Sequence, residues 1–560
     1  MIQPTPAIVA QSAVRRLPRW ALLLLCAAYV LPGFLGREPW KAQDMTAFGY
    51  MLEMARGTSS WLAPRLVGLQ PEFEALLPYW LGAGAMRIAP SWMSPDFAAR
   101  VPFIALLALT LAATWWAVYQ LARRPQAQPV AFAFGGEAHP TDYARALADA
   151  GLLALLACLG LAQLAHETTP ALAQLGCSAL AFYGLAALPG RPLKPALAAA
   201  IGIVGLTLSG APSLALAFAL GAAVLLLIND PTADAPRRQR WVWAGYVALW
   251  ALLSAALAAQ LDVWRWRLDD SGRDLRDTAR MLLWFAWPAW PLALWTVWRW
   301  RRQLGSRHVA LPLWIVACCV VSALVTPAGD RSLLLALPAL ASLAAFALPT
   351  LRRSVSSLID WFTLVFFSGC VLVIWVVWIS METGVPAQPA ANVARLAPGF
   401  VPSFSWIAVA CAVAGTAGWV ALVRWRAGRH QAAIWKSLVL PAGGAALCWL
   451  LLMTLWLPVL DYARSYVPSV RGVVRAIDQP GCVEVAGLTR GQLAALRYHG
   501  RLSLQQARPD TARCPWRVLA VRAGAAHERA VTAGGWQLVA TVRRPTDAAD
   551  TLRVYRAAAP

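Results

Sequence analysis

The chain has 560 residues, of which 59% are apolar and only 14% are charged, and its mean hydropathy is +0.54. Apolar runs of roughly 17–25 residues recur along it, long enough to cross the ~30 Å hydrocarbon core of a bilayer. This pattern excludes a soluble globular protein. The net charge of +22 does not indicate nucleic-acid binding, because the basic residues stand in short clusters between apolar runs, as the positive-inside rule requires.

About 13 membrane spans are predicted in chain order. The first run follows Arg15, Arg16 and Arg19 like a secretory signal, but it lacks a small-x-small cleavage site, so we interpret it as a retained span. The predicted spans lie near residues 18–36, 98–122, 147–165, 170–188, 195–210, 213–229, 241–260, 280–298, 309–326, 332–350, 358–380, 404–423 and 435–458.

The charged loops predict the orientation of these spans. Alternate loops carry basic clusters, and the side that holds them together with the N-terminus is predicted to be cytoplasmic. The odd number of spans then places everything after about residue 459 in the periplasm, outside a bacterial inner membrane. The basic clusters are Arg123/Arg124, Arg191/Lys194, Arg237/Arg238/Arg240, Arg299/Arg301/Arg302, Arg352/Arg353 and Arg424/Arg426/Arg429.

The first external loop, residues 37–97, holds the densest mixed-charge cluster of the chain, in the stretch GREPWKAQDMTAFGYMLEMARG. Residues 44–57 predict an amphipathic helix, since apolar side chains recur at helical spacing while Glu53 and Arg56 take the other face. Residues 73–92 are interpreted as a second helix in the outer interface, because counting them as a span would break the alternation of charge.

The tail, residues 459–560, predicts a small α/β domain. The runs CVEVA, RLSLQQ, WRVLAVR, WQLVATVRR and TLRVYRA indicate strands, and TRGQLAALRYHG indicates a helix. Cys482 and Cys514 are expected to form a disulfide in an oxidising compartment, the alternative being two free thiols. His499 and His527 are separate in sequence and are interpreted as surface histidines.

The sequence contains no phosphate-binding Gly-rich loop, no Gly-x-Ser-x-Gly elbow and no nucleotide motif, which argues against an ATP-driven pump. Ionisable residues near a membrane are costly and indicate function. The carboxylate of Asp44 can act as a general base toward an acceptor hydroxyl or amine. Lys41, Arg37 and Arg65 in the same loop can hold a phosphate and stabilise the charge that grows on it. The alternative is a Lys41–Asp44 i,i+3 ion pair on an interfacial helix.

The pattern D-x-x-x-F-x-x-x-x-x-M-x-x-G, followed by WLAPRLVGL from Trp61 and by Tyr79 and Trp80, resembles the first external loop of a known enzyme group. This is the aminoarabinose-transferase and protein-mannosyltransferase group, glycosyltransferase family 39 of the GT-C superfamily. The resemblance implies a polytopic α-helical GT-C fold with about 13 transmembrane helices, periplasmic juxtamembrane helices and a small C-terminal α/β domain. It passes the role of the catalytic carboxylate to Asp44 and implies a polyprenyl-phosphate-linked sugar donor.

The same resemblance marks further candidates for substrate binding: Tyr79 in the first loop, Glu167 with His166 in the second external loop AHETTP, and Arg331 in a later R-x-x-x-x-x-L-P pattern. The residues alone leave alternatives open. AHETTP can instead be a turn whose threonines cap the span from Pro170. Arg331 can be an arginine that snorkels at a helix end.

The sequence departs from the family in two places. The family's Phe-Glu-Lys-Pro segment, whose Glu and Lys are linked to metal and donor phosphate, is replaced by EFEA at residues 72–75, and the second acid of the family's acidic pair is Met45. Either phosphate binding then falls to Lys41, Arg65 or Arg331, or the donor and the mechanism differ from those of the family. We assign no cofactor and no metal site, since a divalent metal would need ligands other than those of the family.

We therefore predict a transmembrane GT-C catalytic domain over residues 1–458 and a periplasmic domain over 459–560. The predicted function is transfer of a sugar from a polyprenyl-phosphate carrier to a lipid, glycan or protein acceptor, with Asp44 as base or acceptor-orienting group. Two alternatives stay open. One is a non-catalytic protein on a degenerate transferase fold that binds lipid-linked glycans or acts as a scaffold. The other is a transporter, which requires broken helices with charges at mid-bilayer.

Overall fold

The computed structural model describes residues 5–557 apart from 73, 191–192, 229–234, 265–274, 327–328, 429–432, 479–480, 508–513 and 522–534. A bundle of α-helices comes first, and a small sheet follows it. The bundle helices are α1 Arg19–Val30, α2 Gln43–Ala55, α3 Leu77–Ile88, α4 Pro95–Ala122, α5 Pro140–Ala157, α6 Leu161–Leu164, α7 Pro170–Ala187, α8 Leu193–Leu208, α9 Pro212–Leu227, α10 Arg237–Gln260, α11 Leu275–Phe285, α12 Ala289–Arg299, α13 Arg307–Val325, α14 Gly329–Ala347, α15 Arg353–Thr383, α16 Ala387–Leu396, α17 Trp406–Ala427 and α18 Lys436–Leu452.

A helix lies at each predicted span, but the number of spans is not confirmed. Seven helices of the described residues are long and apolar enough to cross a membrane, namely α4, α7, α10, α13, α14, α15 and α17. The number is eight if α18 and the helix after it, bent by 70°, form one span. The predicted span 280–298 is divided into α11 and α12, because Pro288 between them cannot donate a helical hydrogen bond.

Small residues allow close packing inside the bundle. A Cβ atom at Gly184 of α7 would lie 2.4 Å from the backbone nitrogen of Ala199 in α8. A Cβ atom at Gly202 of α8 would lie 2.4 Å from the backbone nitrogen of Ala181 in α7. These two helices therefore approach backbone to backbone, as small residues permit in membrane bundles.

The tail contains all five predicted strands and the predicted helix. Its elements are α19 Leu457–Arg464, α20 Val467–Ala476, β1 Cys482–Ala486, α21 Arg490–Tyr498, β2 Ser503–Gln506, β3 Trp516–Ala520, β4 Trp536–Arg544 and β5 Asp547–Ala557. The strand order is β2-β1-β3-β5-β4. β1 pairs in parallel with β2 and β3, while β5 pairs antiparallel with β3 and β4. Thr489 and Gln492 form a capping box that fixes the start of α21.

Helix α2 is buried on almost every side. It packs against α3, α4 and α21. Glu53, expected on a polar face toward solvent, is only 5% exposed, and its carboxylate lies 3.0 Å from Nε of Arg497 in α21. The helix predicted at 44–57 is thus present, but the tail covers its polar face. The helix predicted at 73–92 is present as α3; Phe73 lies outside the described residues.

The same contact corrects the interpretation of a histidine. His499, directly after α21, is not a surface residue, because its side chain is 14% exposed and lies 3.7 Å from the Glu38 carboxylate. Burial lowers the pKa of His499 to about 4, so the ring is neutral at physiological pH. His527 lies outside the described residues.

A disulfide joins Cys482, the first residue of β1, to Cys514 just before β3. Replacing both by serine is expected to lower the free energy of unfolding of the tail by about 2–4 kcal/mol, because the closed loop restricts the unfolded chain. Thermal unfolding of the full chain with and without reductant measures this. Cys411→Ser removes an exposed free thiol and serves as the matched control. Equal midpoints for the double serine variant and the wild type would contradict the prediction.

Candidate active site

Asp44 stands in the first turn of α2, and its carboxylate is buried. Nη1 of Arg37 lies 2.6 Å from Oδ2, and the backbone N–H of Trp40 donates to the same oxygen at 3.1 Å. The backbone N–H of Thr168 donates to Oδ1 at 2.9 Å, and the Thr168 hydroxyl donates to that oxygen as well. Two donors on each oxygen fix the orientation of the carboxylate.

The charge of Asp44 follows from these neighbours. Burial on its own would raise the pKa of Asp44. The positive charges of Arg37 and Arg100, with the hydrogen bonds from Thr168 and Arg37, outweigh burial and lower the pKa from its usual value. Asp44 is therefore an ionised carboxylate in a site of low dielectric, where it orients hydrogen-bond donors strongly and takes up a proton reluctantly.

Arg37 ties three segments together around Asp44. Its Nε donates to the Gly33 carbonyl at 2.8 Å and its Nη2 to the His166 carbonyl at 2.6 Å. The guanidinium carbon lies 4.9 Å from the centre of the Trp40 ring. Arg37, predicted to be one of the cations that can hold a phosphate, is instead the counter-charge of Asp44.

The other two residues of the first loop that were predicted to hold a phosphate, Lys41 and Arg65, have contacts other than Asp44. Nζ of Lys41 lies 2.7 Å from Oδ2 of Asp547 in β5, so the alternative Lys41–Asp44 pair does not form. The backbone N–H of Lys41 donates to the Arg464 carbonyl, which directs this residue toward the tail. Arg65 is exposed before α3, and its contact in the structure is a backbone hydrogen bond to the Ser59 hydroxyl.

The loop between α6 and α7 brings Glu167 beside Asp44. Glu167 is 7% exposed and accepts a hydrogen bond at 3.0 Å from Nε2 of Gln163. Burial and the Asp44 charge raise the pKa of Glu167 from its usual value. The predicted capping role of the threonines is not found: Thr169 is the N-cap of α7 but makes no side-chain capping bond, and Thr168 bonds Asp44 instead.

His166, predicted to bind substrate, is enclosed by the fold. Its two ring nitrogens face backbone carbonyls, one of Ala162 and one of Tyr29, the latter at 3.0 Å. The ring centre lies 5.1 Å from that of Phe34 and 4.7 Å from that of Trp449. Burial lowers the pKa of His166 to about 4. The side chain is neutral and enclosed by its neighbours, which contradicts the prediction that His166 contacts a substrate.

Arg331 and Tyr79 fall in different surroundings. Arg331 is half-buried in the first turn of α14, near enough to Glu167 for its charge to lower the pKa of that carboxyl against the effect of burial. Tyr79 is buried in α3, with its ring centre 5.5 Å from that of Tyr50. Arg331 therefore joins the Asp44–Glu167 cluster, whereas Tyr79 packs the first loop.

An apolar groove of about 480 Å³ opens between α11, α12, α13 and α14. The described residues that line it are all apolar, among them Val316 of α13 and Leu340 of α14. Leu333 lines the groove as well and stands two residues after Arg331. The groove therefore extends to the first turns of α14, the helix that carries Arg331 on a different face.

Metal ligands were not assigned from the sequence. Within the described ranges, no group of three or more His, Cys, Asp and Glu side chains is placed to hold a metal ion. Glu72, in the segment that replaces the family's Phe-Glu-Lys-Pro, pairs at 2.7 Å with Arg490 of α21. The segment thus anchors the tail.

Thr168→Val is expected to weaken both stability and the sugar transfer predicted from the sequence, since valine keeps the shape of threonine but removes a donor to a buried carboxylate. Hydrogen bonds to charged groups contribute about 1.5–3 kcal/mol, so we expect a loss of stability of that size and a fall in turnover of about tenfold. Thermal unfolding and a turnover assay measure the two effects. Thr168→Ser keeps the hydroxyl and should restore both; an equal loss in this variant would contradict a role of the hydroxyl.

Two solved structures share the fold of this chain. The crystal structure of ArnT from Cupriavidus metallidurans bound to undecaprenyl phosphate aligns with a TM-score of 0.61 and 14% identity, covering 97% of this chain and 100% of that chain. The structure of ArnT from the same organism in the apo state aligns with a TM-score of 0.59 and 14% identity, covering 97% and 99%. No protein-family model and no curated protein matches the sequence.

Proposed function

We propose that this chain, whose ArnT-like GT-C fold extends over its whole length, is a membrane glycosyltransferase that acts on lipid-linked sugars. It transfers a sugar from a polyprenyl-phosphate carrier to a lipid, glycan or protein acceptor at the membrane face that holds the tail. We place that face in the periplasm of a bacterial inner membrane; the Cys482–Cys514 disulfide supports this, because disulfides persist in oxidising compartments.

The observation that carries the proposal is the apolar groove between α11, α12, α13 and α14, which extends to the first turns of α14. A polyprenyl chain gains about 25 cal/mol for each Å² of apolar surface that it buries there. Arg331, in the first turn of α14, is the cation that we assign to the phosphate at the end of the chain. The ArnT structure that shares this fold was solved with undecaprenyl phosphate bound, which supports the same class of lipid here.

The two buried carboxylates take different roles because their surroundings move their pKa values in opposite directions. Glu167, with its raised pKa, takes the proton of the acceptor hydroxyl or amine as the acceptor atom bonds to the sugar carbon. The bond from that carbon to the carrier phosphate breaks at the same time, and Arg331 stabilises the charge left on the phosphate. Asp44 stays ionised, and because protein donors already hold both of its oxygens, it acts by fixing the loop that carries Glu167 instead of touching the acceptor.

A second candidate is a non-catalytic protein that binds lipid-linked glycans on the same fold. The replacement of the Phe-Glu-Lys-Pro segment favours it, since Glu72 there anchors the tail through Arg490. Both candidates bind the carrier lipid, and only the transferase consumes the donor.

Native mass spectrometry of the full chain in a neutral detergent tests the proposal, with undecaprenyl phosphate added as the probe. We expect a one-to-one complex, and then release of free carrier when a polyprenyl-phosphate-linked sugar and an acceptor-containing membrane extract are supplied. Failure to bind undecaprenyl phosphate would reject both candidates. Binding without any consumption of donor would select the non-catalytic protein.

A further inference from the structure

A polar cavity of about 970 Å³ lies beside Arg37, where three parts of the chain meet. Residues 36–38 form one wall, and the start of α4 forms a second. The third wall is the end of α21 with the residues after it, 497–502, so the tail closes the cavity. Nothing in the proposed reaction so far uses this space.

The walls of the cavity carry an excess of positive charge. Among the described residues that line it, five arginines face the carboxylates of Glu38 and Asp96, and His499 is neutral because burial lowers its pKa to about 4. A cleft lined by one sign of charge concentrates ligands of the opposite sign. The arginines are Arg37, Arg56, Arg100, Arg497 and Arg501.

Three of these arginines already have carboxylate partners. Arg37 pairs with Asp44, Arg100 with Asp96 at 3.0 Å, and Arg497 with Glu53 at 3.0 Å. Arg56 and Arg501 are exposed, and within the described part of the chain neither has an ion pair or a side-chain hydrogen bond. Two guanidinium groups at the cavity are therefore available to an anion.

The backbone at Arg501 gives a second, independent observation. Its φ angle is +52°, in the left-handed region, which costs a residue with a side chain roughly 1–2 kcal/mol. Glycine would occupy this position without that cost. The fold thus holds a strained residue whose side chain stands at the cavity, a feature that is common where a side chain has a binding role.

We propose that this cavity binds an anionic group of the acceptor, a phosphate or a carboxylate, and that the tail completes the site through Arg501. The proposal rests on the transferase function argued above. Arginine presents a planar fork of N–H donors that matches both groups. Arg37 lines the cavity and also pairs with Asp44, so this one side chain connects the cavity with the buried carboxylate of the candidate site.

Equilibrium dialysis of the full chain in neutral detergent tests this site, with labelled inorganic phosphate as one probe and short-chain phosphatidic acid as the other. Arg501→Gly should lower the affinity for the probe about tenfold, the effect of one charge-assisted hydrogen bond, while leaving the melting temperature unchanged or raised. Arg56→Gln should lower affinity similarly. Arg475→Gln, an exposed arginine of α20 outside the cavity, is the matched control and should bind as the wild type does.

The outcomes separate this site from the function on which it rests. Binding of phosphatidic acid alone assigns the site to a lipid headgroup, and binding of both probes assigns it to phosphate from any source. Equal affinity in the wild type and Arg501→Gly, or no binding of either probe, overturns the site. Displacement of the probe by undecaprenyl phosphate overturns it too, since the cavity would then hold the carrier. Native mass spectrometry with undecaprenyl phosphate tests the transferase function separately.

Discussion

Asp44→Asn is expected to lower sugar transfer by about 100-fold or more, because Glu167 contributes such a factor as a base only while the Asp44 carboxylate holds its loop in place. Asparagine keeps the shape of the side chain but loses the negative charge that Arg37 and Thr168 hold in place. The measurement is turnover of a polyprenyl-phosphate-linked sugar by purified protein, at equal amounts of folded enzyme. Retained activity in this variant would reject a role of Asp44 in the reaction.

Asp44→Asn also changes the stability of the protein, so its loss of activity needs a control variant. Removing one partner of a buried ion pair leaves an uncompensated charge and costs about 3–5 kcal/mol. Asp44→Asn therefore destabilises the protein as well, because Arg37 remains buried. The double variant Asp44→Asn/Arg37→Gln removes both charges, so its melting temperature should recover toward that of the wild type while its activity should not. Recovery of activity together with stability would show that Asp44 serves the fold alone.

Val316→Trp is expected to lower the affinity for undecaprenyl phosphate at least about tenfold. Val316 lines the apolar groove from α13, and an indole there occupies space that the proposed polyprenyl chain needs. Loss of about 55 Å² of buried lipid surface, at about 25 cal/mol per Å², already corresponds to a factor of ten. The measurement is a titration of detergent-solubilised protein with undecaprenyl phosphate, followed by native mass spectrometry.

Val321→Trp is the matched control for the groove. Val321 belongs to the same helix, is 60% exposed and does not line the groove, so the same substitution there should leave lipid binding unchanged. An equal loss in both variants would show a general effect on α13. Undiminished binding in Val316→Trp would place the carrier lipid elsewhere and remove the main support of the proposed function.

Local patterns were sufficient to predict most elements of the fold. A helix lies at every predicted span, and all five strands of the tail were predicted, because apolar run length and alternation are properties of neighbouring residues. The helix at 44–57 was predicted as well, but not its burial. The partners of its polar face lie far along the chain, as Arg497 does for Glu53, and no periodicity reveals such a contact.

The candidate site was predictable only in part for the same reason. Resemblance placed Asp44, Glu167 and Arg331 in the site, and Glu167 lies near enough to the other two for their charges to shift its pKa. Thr168, which holds the Asp44 carboxylate, is separated from it by 124 residues, and its sequence position suggested only a helix cap. Lys41 has a charged partner three residues away in sequence, yet it pairs with Asp547, because tertiary packing decides which of two close charges is reached.

The attachment of the tail to the first loop has a consequence for biosynthesis. Lys41, Glu53 and Glu72 each pair with a residue of the tail that is translated more than 400 residues later: Asp547, Arg497 and Arg490. While the ribosome is still translating, a nascent chain can insert its hydrophobic segments and yet leave α2 without these partners. We therefore expect α2 to reach its final packing only after the tail has been synthesised and has folded against it.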